Sequence, residues 1–262
     1  MKQTVWIADG GIRLSAVLER PHAGRCPLMI VLHGFTSTKD KPHNVAVSAA
    51  MREAGVATLR VDLYGHGKSG GSFRTHTIPK WISNTLAAMD AAERLDFVDG
   101  IWLSGHSQGG LTAALVAGLV PERVRGLVLR APAFMIPAGC RAGELLGERF
   151  DPVNVPDRIR TFDGRTLDGA YLREAQTLRI EEAIDRFPGP VLLLHGDEDD
   201  LVPPQDSVEV ARRYRNCRLE ILPGESHHFD RHPERANALI RRWLRDAAGE
   251  ASPASEGKEN SP

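Results

Sequence analysis

One serine lies in a pentapeptide whose residue types could support nucleophilic catalysis. Residues 105–109 read Gly-His-Ser-Gln-Gly and fit the pattern G-x-S-x-G. A short apolar segment, Ile101–Leu103, precedes them and a helical run, Leu111–Leu119, follows. This context predicts a sharp strand–turn–helix bend that presents the Ser107 hydroxyl to a substrate. A serine that only capped a helix would not need the flanking glycines, so we interpret Ser107 as a nucleophile.

A serine hydroxyl needs a base to take its proton, and the base needs a carboxylate to orient it. Two histidines, His227 and His228, follow the predicted strand Leu219–Leu222. Four consecutive acids, residues 197–200, follow the predicted strand Val191–Leu194. The chain order Ser, Asp, His is typical of α/β-hydrolases. The spacing alone does not decide between the two histidines or among the acids.

Two backbone N–H groups are candidates to stabilise the oxyanion that forms during acyl transfer. Gln108 follows the nucleophile at the start of a helix, and Phe35 lies in the turn after the predicted strand Leu28–Leu32. Gly34 permits a close backbone approach in that turn. We therefore predict an oxyanion hole made by the amides of Phe35 and Gln108, and we expect His33 to be a structural hydrogen-bonding residue.

Two other kinds of site fit the sequence less well. His227, His228 and His232 lie near acidic residues, but no helical metal-binding spacing is present. Residues 67–69, Gly-Lys-Ser, resemble the end of a phosphate-binding loop, but the first glycine of that motif would fall at Asp62. We therefore expect neither a metal nor a cofactor.

The elements that must position these residues alternate between strand and helix. A hairpin pattern surrounds residues 9–11, Asp-Gly-Gly, at the beginning of the chain. Apolar runs predict strands near residues 28–32, 56–61, 101–103, 126–129, 191–194 and 219–222, and helical periodicity covers about residues 43–54, 79–95, 107–119, 205–214 and 233–247. The pattern predicts an α/β fold with a mostly parallel, doubly wound sheet led by an antiparallel hairpin.

One internal segment interrupts this alternation. Residues 133–188 contain two Asp-Gly pairs, at 163–164 and 168–169, which predict a small β-meander followed by a helix around Glu174–Ile184. We interpret the segment as a small cap inserted into a hydrolase domain that spans residues 1–248. Residues 249–262 contain nothing large to bury and are predicted to be a disordered tail.

Composition narrows the classes of partner. The 262 residues carry 33 lysines and arginines against 34 acids, for a formal net charge of −1, which argues against a nucleic-acid-binding surface. The longest apolar stretch, Leu111–Val120, is too short to span a membrane. Three widely separated cysteines give no disulfide framework. We expect a cytoplasmic protein that acts on a small-molecule ester, with monomer and homodimer both left open.

The motifs described above together resemble bacterial feruloyl (cinnamoyl) esterases of the α/β-hydrolase superfamily. Segments of the inserted region, such as residues 143–147 and 170–173, resemble that family too. The resemblance implies that Asp199 is the acid and His227 the base. It also implies that Tyr171 lies near a bound phenolic ring, and that Phe162 stands where relatives can carry a tryptophan beside the cleft.

The implied activity is that of a serine carboxylesterase that hydrolyses hydroxycinnamate esters through an acyl-enzyme. Substrate-binding residues are expected to be Tyr171, Phe162 and Gly34, although packing of the cap's own core would explain Tyr171 and Phe162 equally well. Three alternatives remain. They are a lipid or short-chain acyl esterase such as a monoacylglycerol lipase, a hydrolase that cleaves carbon–carbon bonds, and a ligand-binding relative without activity.

Overall fold

The computed structural model describes residues 1–250. Its strands are β1 (Lys2–Asp9), β2 (Ile12–Glu19), β3 (Cys26–Leu32), β4 (Ala57–Val61), β5 (Val98–His106), β6 (Val124–Arg130), β7 (Glu144–Leu145), β8 (Glu148–Arg149), β9 (Arg158–Arg160), β10 (Thr166–Asp168), β11 (Val191–Gly196) and β12 (Cys217–Leu222). Its α-helices are α1 (Pro42–Glu53), α2 (Ile78–Glu93), α3 (Gln108–Leu119), α4 (Ile136–Ala142), α5 (Gly169–Thr177), α6 (Ile180–Arg186), α7 (Pro204–Ala211) and α8 (Pro233–Glu250).

Eight of these strands form one sheet in the order β1-β2-β4-β3-β5-β6-β11-β12. The pairs β1–β2 and β2–β4 are antiparallel, and every pair from β4 to β12 is parallel. The predicted α/β-hydrolase fold, with a mostly parallel sheet and an N-terminal antiparallel hairpin, is therefore confirmed.

The apolar runs in the sequence arise because the sheet is covered on both faces. Along β3, Leu28, Ile30 and Leu32 join one hydrophobic cluster, while Met29 and Val31 join the other. Alternate side chains of a strand point to opposite faces, so a strand buried on both faces must be apolar at every position. The turns after β3, β5, β11 and β12 meet at one edge of this sheet, which brings together the residues expected to act on a substrate.

The segment between β6 and β11 differs in detail from the predicted meander and single helix. It contains α4, the hairpins β7–β8 and β9–β10, and the two helices α5 and α6. The pair at residues 163–164 does form the turn between β9 and β10. The pair at 168–169 instead begins α5, with Asp168 at the N-cap, and a side chain at Gly169 would overlap the carbonyl oxygen of Pro156.

The last helix, α8, packs against the second face of the sheet, where Trp243 makes an edge-to-face contact with Trp102 at 5.7 Å between ring centroids. Because α8 runs to Glu250, it includes the first two residues of the predicted tail at 249–262, and the remainder of that tail lies outside the described residues. Within residues 1–250, no helix is both long and apolar enough to cross a membrane.

Candidate active site

The turn between β5 and α3 holds Ser107 in a backbone conformation that side chains rarely adopt. Ser107 has φ 55° and ψ −123° and is 9% exposed. A side chain at Gly105 would overlap the carbonyl of Gly109, and a side chain at Gly109 would overlap the carbonyl of His33. Both glycines are therefore needed for the tight turn, and this is the strand–turn–helix geometry expected from the sequence.

His227 lies in the loop after β12, and its ring is held by a carboxylate. Its Nδ1 is 2.7 Å from Oδ2 of Asp199, in the loop after β11. Ser107 and His227 line the same cavity of about 100 Å³, together with Gly34 and Phe35. Because Nδ1 is occupied by the carboxylate, Nε2 is the nitrogen of His227 that can take a proton from a nucleophile.

The Asp199 carboxylate accepts hydrogen bonds at both oxygens. Its Oδ1 receives the backbone N–H groups of Leu201 and Val202, each at 2.9 Å, and its Oδ2 also receives Nε2 of His195 at 3.0 Å. Burial opposes ionisation of this carboxyl, but the hydrogen bonds from His195 and His227 outweigh it and hold the pKa of Asp199 well below its ordinary value. Asp199 is therefore an anion at neutral pH.

The other three acids of the run have different positions. Asp197 accepts a 2.7 Å hydrogen bond from the backbone of Gly224 and so ties together the loops after β11 and β12. Glu198 pairs with Arg231, and Asp200 is exposed to solvent. Of the four acids, Asp199 alone hydrogen-bonds the His227 ring in the described structure.

The second histidine of the pair, His228, is exposed and lines the mouth of the same cavity. Its ring stacks on that of His43 at 5.7 Å between centroids and an interplanar angle of 21°. Among the contacts found in residues 1–250, His228 has no carboxylate hydrogen bond like that of His227.

The amides of Phe35 and Gln108 are both available to an oxyanion. Phe35 and Ser107 line the same cavity, and Gln108 is the first residue of α3. Neither backbone N–H has a hydrogen-bond acceptor within the described part of the chain. Unsatisfied N–H groups at a helix start form a natural anion site.

Two histidines support the turn that carries Phe35. His33 accepts a 3.0 Å hydrogen bond from the backbone of Leu63 at Nε2 and donates from Nδ1 to the carbonyl of Gly34 at 2.8 Å. His66 donates to the carbonyl of Phe35. Burial holds the pKa of His33 far below its ordinary value, so His33 is neutral and structural, as expected.

His106, directly before the nucleophile, did not stand out in the sequence as functional. Its fully buried ring donates from Nε2 to the backbone carbonyl of His227 at 2.8 Å. Burial, followed by the nearby His227, holds the pKa of His106 far below its ordinary value, so the ring stays neutral. Through this bond, the side chain of the residue next to Ser107 holds the backbone of His227.

The three residues expected to contact substrate occupy different positions. Gly34 and Phe162 line the cavity beside Ser107, and Phe162 is 52% exposed. Tyr171 is 1% exposed and donates a 2.7 Å hydrogen bond to Oε1 of Gln108. It lines neither this cavity nor the second, adjoining cavity described below. A contact between Tyr171 and an acyl group therefore remains a prediction.

A second, larger cavity of about 520 Å³ adjoins the first and shares Leu146, Phe162 and Leu201 with it. Its other lining residues come from the segment around α4 and β7 and from the loop after β11, and most are apolar: Met135, Ile136, Ala138, Gly139, Ala142, Glu144, Leu145, Gly147, Asp200 and Pro203. The site thus joins a polar reacting edge to an apolar volume.

Comparisons with known proteins show which family the chain resembles. A family model described as serine aminopeptidase, S33, matches residues 25–159. The structure of Est1E from Butyrivibrio proteoclasticus with ferulic acid bound has a TM-score of 0.92 and 44% sequence identity, and the match covers 94% of this chain and 99% of that one.

Two curated relatives are more distant. The mitochondrial palmitoyl-protein thioesterase ABHD10 of Mus musculus is 28% identical, over 76% of this chain and 67% of its own length. The monoacylglycerol lipase of Mycolicibacterium smegmatis is 23% identical, over 90% of this chain and 94% of its own length. The chain therefore spans about two thirds of the length of the thioesterase.

Proposed function

Because the chain belongs to the α/β-hydrolase family described as serine aminopeptidase, S33, and is a serine ester hydrolase, we propose that it hydrolyses hydroxycinnamate esters through Ser107, His227 and Asp199. The observation that supports this most directly is the 2.7 Å contact between Asp199 and Nδ1 of His227, in a site where His227 and Ser107 line one cavity.

In the proposed reaction the Ser107 Oγ attacks the ester carbonyl carbon while Nε2 of His227 takes the hydroxyl proton. The bond between the carbonyl carbon and the alkoxy oxygen of the ester then breaks. The leaving alcohol receives the proton from His227, and the acyl group stays on Ser107. A water molecule then gives a proton to Nε2 of His227 as its oxygen attacks the acyl carbon. The bond between that carbon and the Ser107 Oγ breaks, and His227 returns the proton to Oγ, which releases the acid and regenerates the serine. The ionised Asp199 stabilises the imidazolium that forms in each half of the cycle.

We assign stabilisation of the negative charge on the carbonyl oxygen to the backbone amides of Phe35 and Gln108. Each donor of such a hole is worth about 10²- to 10³-fold in rate. Both are backbone groups, so no ordinary substitution removes them. The supporting turns are the parts that variants can test.

A hydroxycinnamate acyl group is supported by the apolar character of the cavity and by the likeness to Est1E, which binds ferulic acid. Phe35 and Phe162, whose rings are 6.4 Å apart between centroids, border the space next to Ser107. A planar phenyl ring can pack on the exposed ring of Phe162 in offset or tilted contact.

The first experiment measures hydrolysis of methyl ferulate by the wild type and by Ser107→Ala. The variant is expected to lose about 10⁴-fold or more of kcat. Ser48→Ala is the matched control, because Ser48 is a buried serine of α1 whose hydroxyl donates to the carbonyl of Asn44. Undiminished hydrolysis by Ser107→Ala would overturn the proposed mechanism.

A second candidate is favoured by the larger apolar cavity, which could receive an aliphatic acyl chain. The likeness to the monoacylglycerol lipase supports the same alternative. Comparing kcat/KM for methyl ferulate with that for a medium-chain monoglyceride separates the two: our proposal expects the aromatic ester to be preferred, and a preference for the monoglyceride would replace it.

Covalent labelling of Ser107 by a fluorophosphonate distinguishes both enzymes from an inactive ligand-binding relative. Labelling requires an activated serine but no particular acyl pocket. Absence of labelling in folded protein would favour the inactive relative.

A further inference from the structure

A second histidine lies behind the proposed catalytic carboxylate. His195 is the penultimate residue of β11 and is fully buried. Its Nε2 is 3.0 Å from Oδ2 of Asp199 and 3.1 Å from the carbonyl of Val202. Both neighbours can only accept a hydrogen bond while Asp199 is ionised, so Nε2 must carry a hydrogen.

The other ring nitrogen is held from α7. Nδ1 of His195 is 2.6 Å from Oγ of Ser207, which is fully buried as well. With the hydrogen on Nε2, a neutral ring leaves a lone pair on Nδ1, and the Ser207 hydroxyl donates to it. The result is a continuous chain of hydrogen bonds from Ser207 through His195 to Asp199 and His227.

This series of hydrogen bonds affects the orientation and the charge of the Asp199 carboxylate. Asp199 receives four donors, two at each oxygen, and His195 and His227 share Oδ2. Each donor fixes the plane of the carboxylate and withdraws charge from the oxygen that it touches. The donor at Oδ2 therefore acts on the same atom that bonds the His227 ring.

We propose that His195 is a positioning residue for the triad: it holds Asp199 ionised and oriented toward His227, and it limits how strongly Asp199 stabilises the protonated His227 ring. The proposal rests on the proposed function, because His195 acts only through Asp199. A residue that merely filled the core would make neither contribution.

The test compares His195→Leu, which removes the donor at similar volume, with His195→Gln, whose amide nitrogen can take the place of Nε2. Ser207→Ala removes the hydroxyl that fixes the tautomer, and Ser48→Ala is its matched control, since both are fully buried helix serines. Circular dichroism and thermal melting establish that each variant is folded.

The rate of fluorophosphonate labelling between pH 5 and 9 is the main readout, with kcat/KM for methyl ferulate as the second. Labelling does not depend on the acyl pocket, so a wrong substrate class would leave this test intact. The other titratable groups that face His227 are His43, His106 and His228, and the one that faces His195 from α7 is Asp206. All four are the same in every variant.

We expect His195→Leu to label about 10- to 100-fold more slowly at neutral pH. The acid limb of its pH–rate profile should move to higher pH, because Asp199 without the donor stabilises the protonated His227 more strongly. His195→Gln should recover most of the rate and the wild-type limb. Ser207→Ala should show a smaller decrease in labelling rate and a smaller movement of the limb in the same direction. This variant tests the proposal even if His195→Leu does not fold.

Two results would overturn the proposal: wild-type rate and limb in His195→Leu, or equal losses in the Leu and Gln variants with no movement of the limb. If His195→Leu does not fold, an unchanged limb in Ser207→Ala would overturn it instead. A failure of the proposed function is recognised separately, because Ser107→Ala would then keep its activity, and the role of His195 would be refuted with it.

Discussion

The backbone of Ser107 supports a stability prediction that does not depend on any substrate. Its φ of 55° and ψ of −123° lie in a region that glycine occupies freely and other residues occupy under strain. We expect Ser107→Gly to be more stable than Ser107→Ala, because both lack the hydroxyl and only the glycine also removes the Cβ that causes the strain.

The size of this difference follows from three opposing effects. Relief of the strained conformation is worth about 1–3 kcal/mol. The greater freedom of glycine in the unfolded chain costs about 0.4–1 kcal/mol. Loss of one buried carbon costs up to about 0.8 kcal/mol, and less here because Ser107 borders a cavity. The net expectation is about 1 kcal/mol in favour of Ser107→Gly, or a melting temperature higher by about 2–4 °C.

Urea unfolding of both variants measures this difference, and the same pair of substitutions at Ser48 provides the control. Ser48 lies within α1, where glycine is about 1 kcal/mol less stable than alanine. The order of stability should therefore reverse between the two positions. Equal or lower stability of Ser107→Gly relative to Ser107→Ala would refute the inference that the nucleophile is held under strain.

Three further outcomes are expected. Asp199→Asn should lower hydrolysis by about 10⁴-fold. The pKa of Asp199 in the folded protein is held below its unfolded value of about 3.9, so its contribution to stability is present above that pH and is lost as the pH falls through the folded pKa. Urea unfolding should therefore show that the stability advantage of the wild type over the variant shrinks below about pH 4. Gly118→Ala should cost about 1–3 kcal/mol of unfolding free energy, since its side chain would overlap the backbone of Ala183 and push α3 away from α6; an unchanged urea midpoint would contradict this packing. His106→Phe keeps a ring but loses the donor to His227, so kcat for methyl ferulate should fall about 10-fold with little change in KM, and an unchanged kcat would mean that this bond positions nothing.

The sheet could be predicted from the sequence because both of its faces are buried. The apolar run at residues 28–32 is what β3 requires without any knowledge of its neighbours, since a strand that is covered on both faces is apolar at every position. The inserted segment lacks such a signal. Its residues 168–169 have the composition of a hairpin turn, yet they begin a helix, and the glycine is needed because residue 169 lies against the carbonyl of Pro156, a contact that a local pattern cannot reveal.

The nucleophile of the candidate site could be predicted for a different reason. Ser107 stands out because glycines, strand and helix surround it in a fixed order. The choice of Asp199 among four consecutive acids needed the resemblance, because the direction of each side chain depends on how the loops after β11 and β12 meet. His195 did have a signal: it is a polar residue at the end of the apolar run 191–194, and a buried polar side chain in such a place requires partners.

Tyr171 illustrates how a contact within the protein limits what a side chain can offer a ligand. Its hydroxyl is already used by Oε1 of Gln108, and its ring packs against Phe35 and His76 at 5.9 and 5.3 Å between centroids. A phenolic substrate that used this hydroxyl would have to share it with Gln108 and approach a ring that is 1% exposed. Phe35 and Gln108, which Tyr171 contacts, are the residues whose amides are assigned to the oxyanion. We therefore assign the first contact with an aromatic acyl group to Phe162, which is exposed to the cavity, and the role of supporting Gln108 to Tyr171.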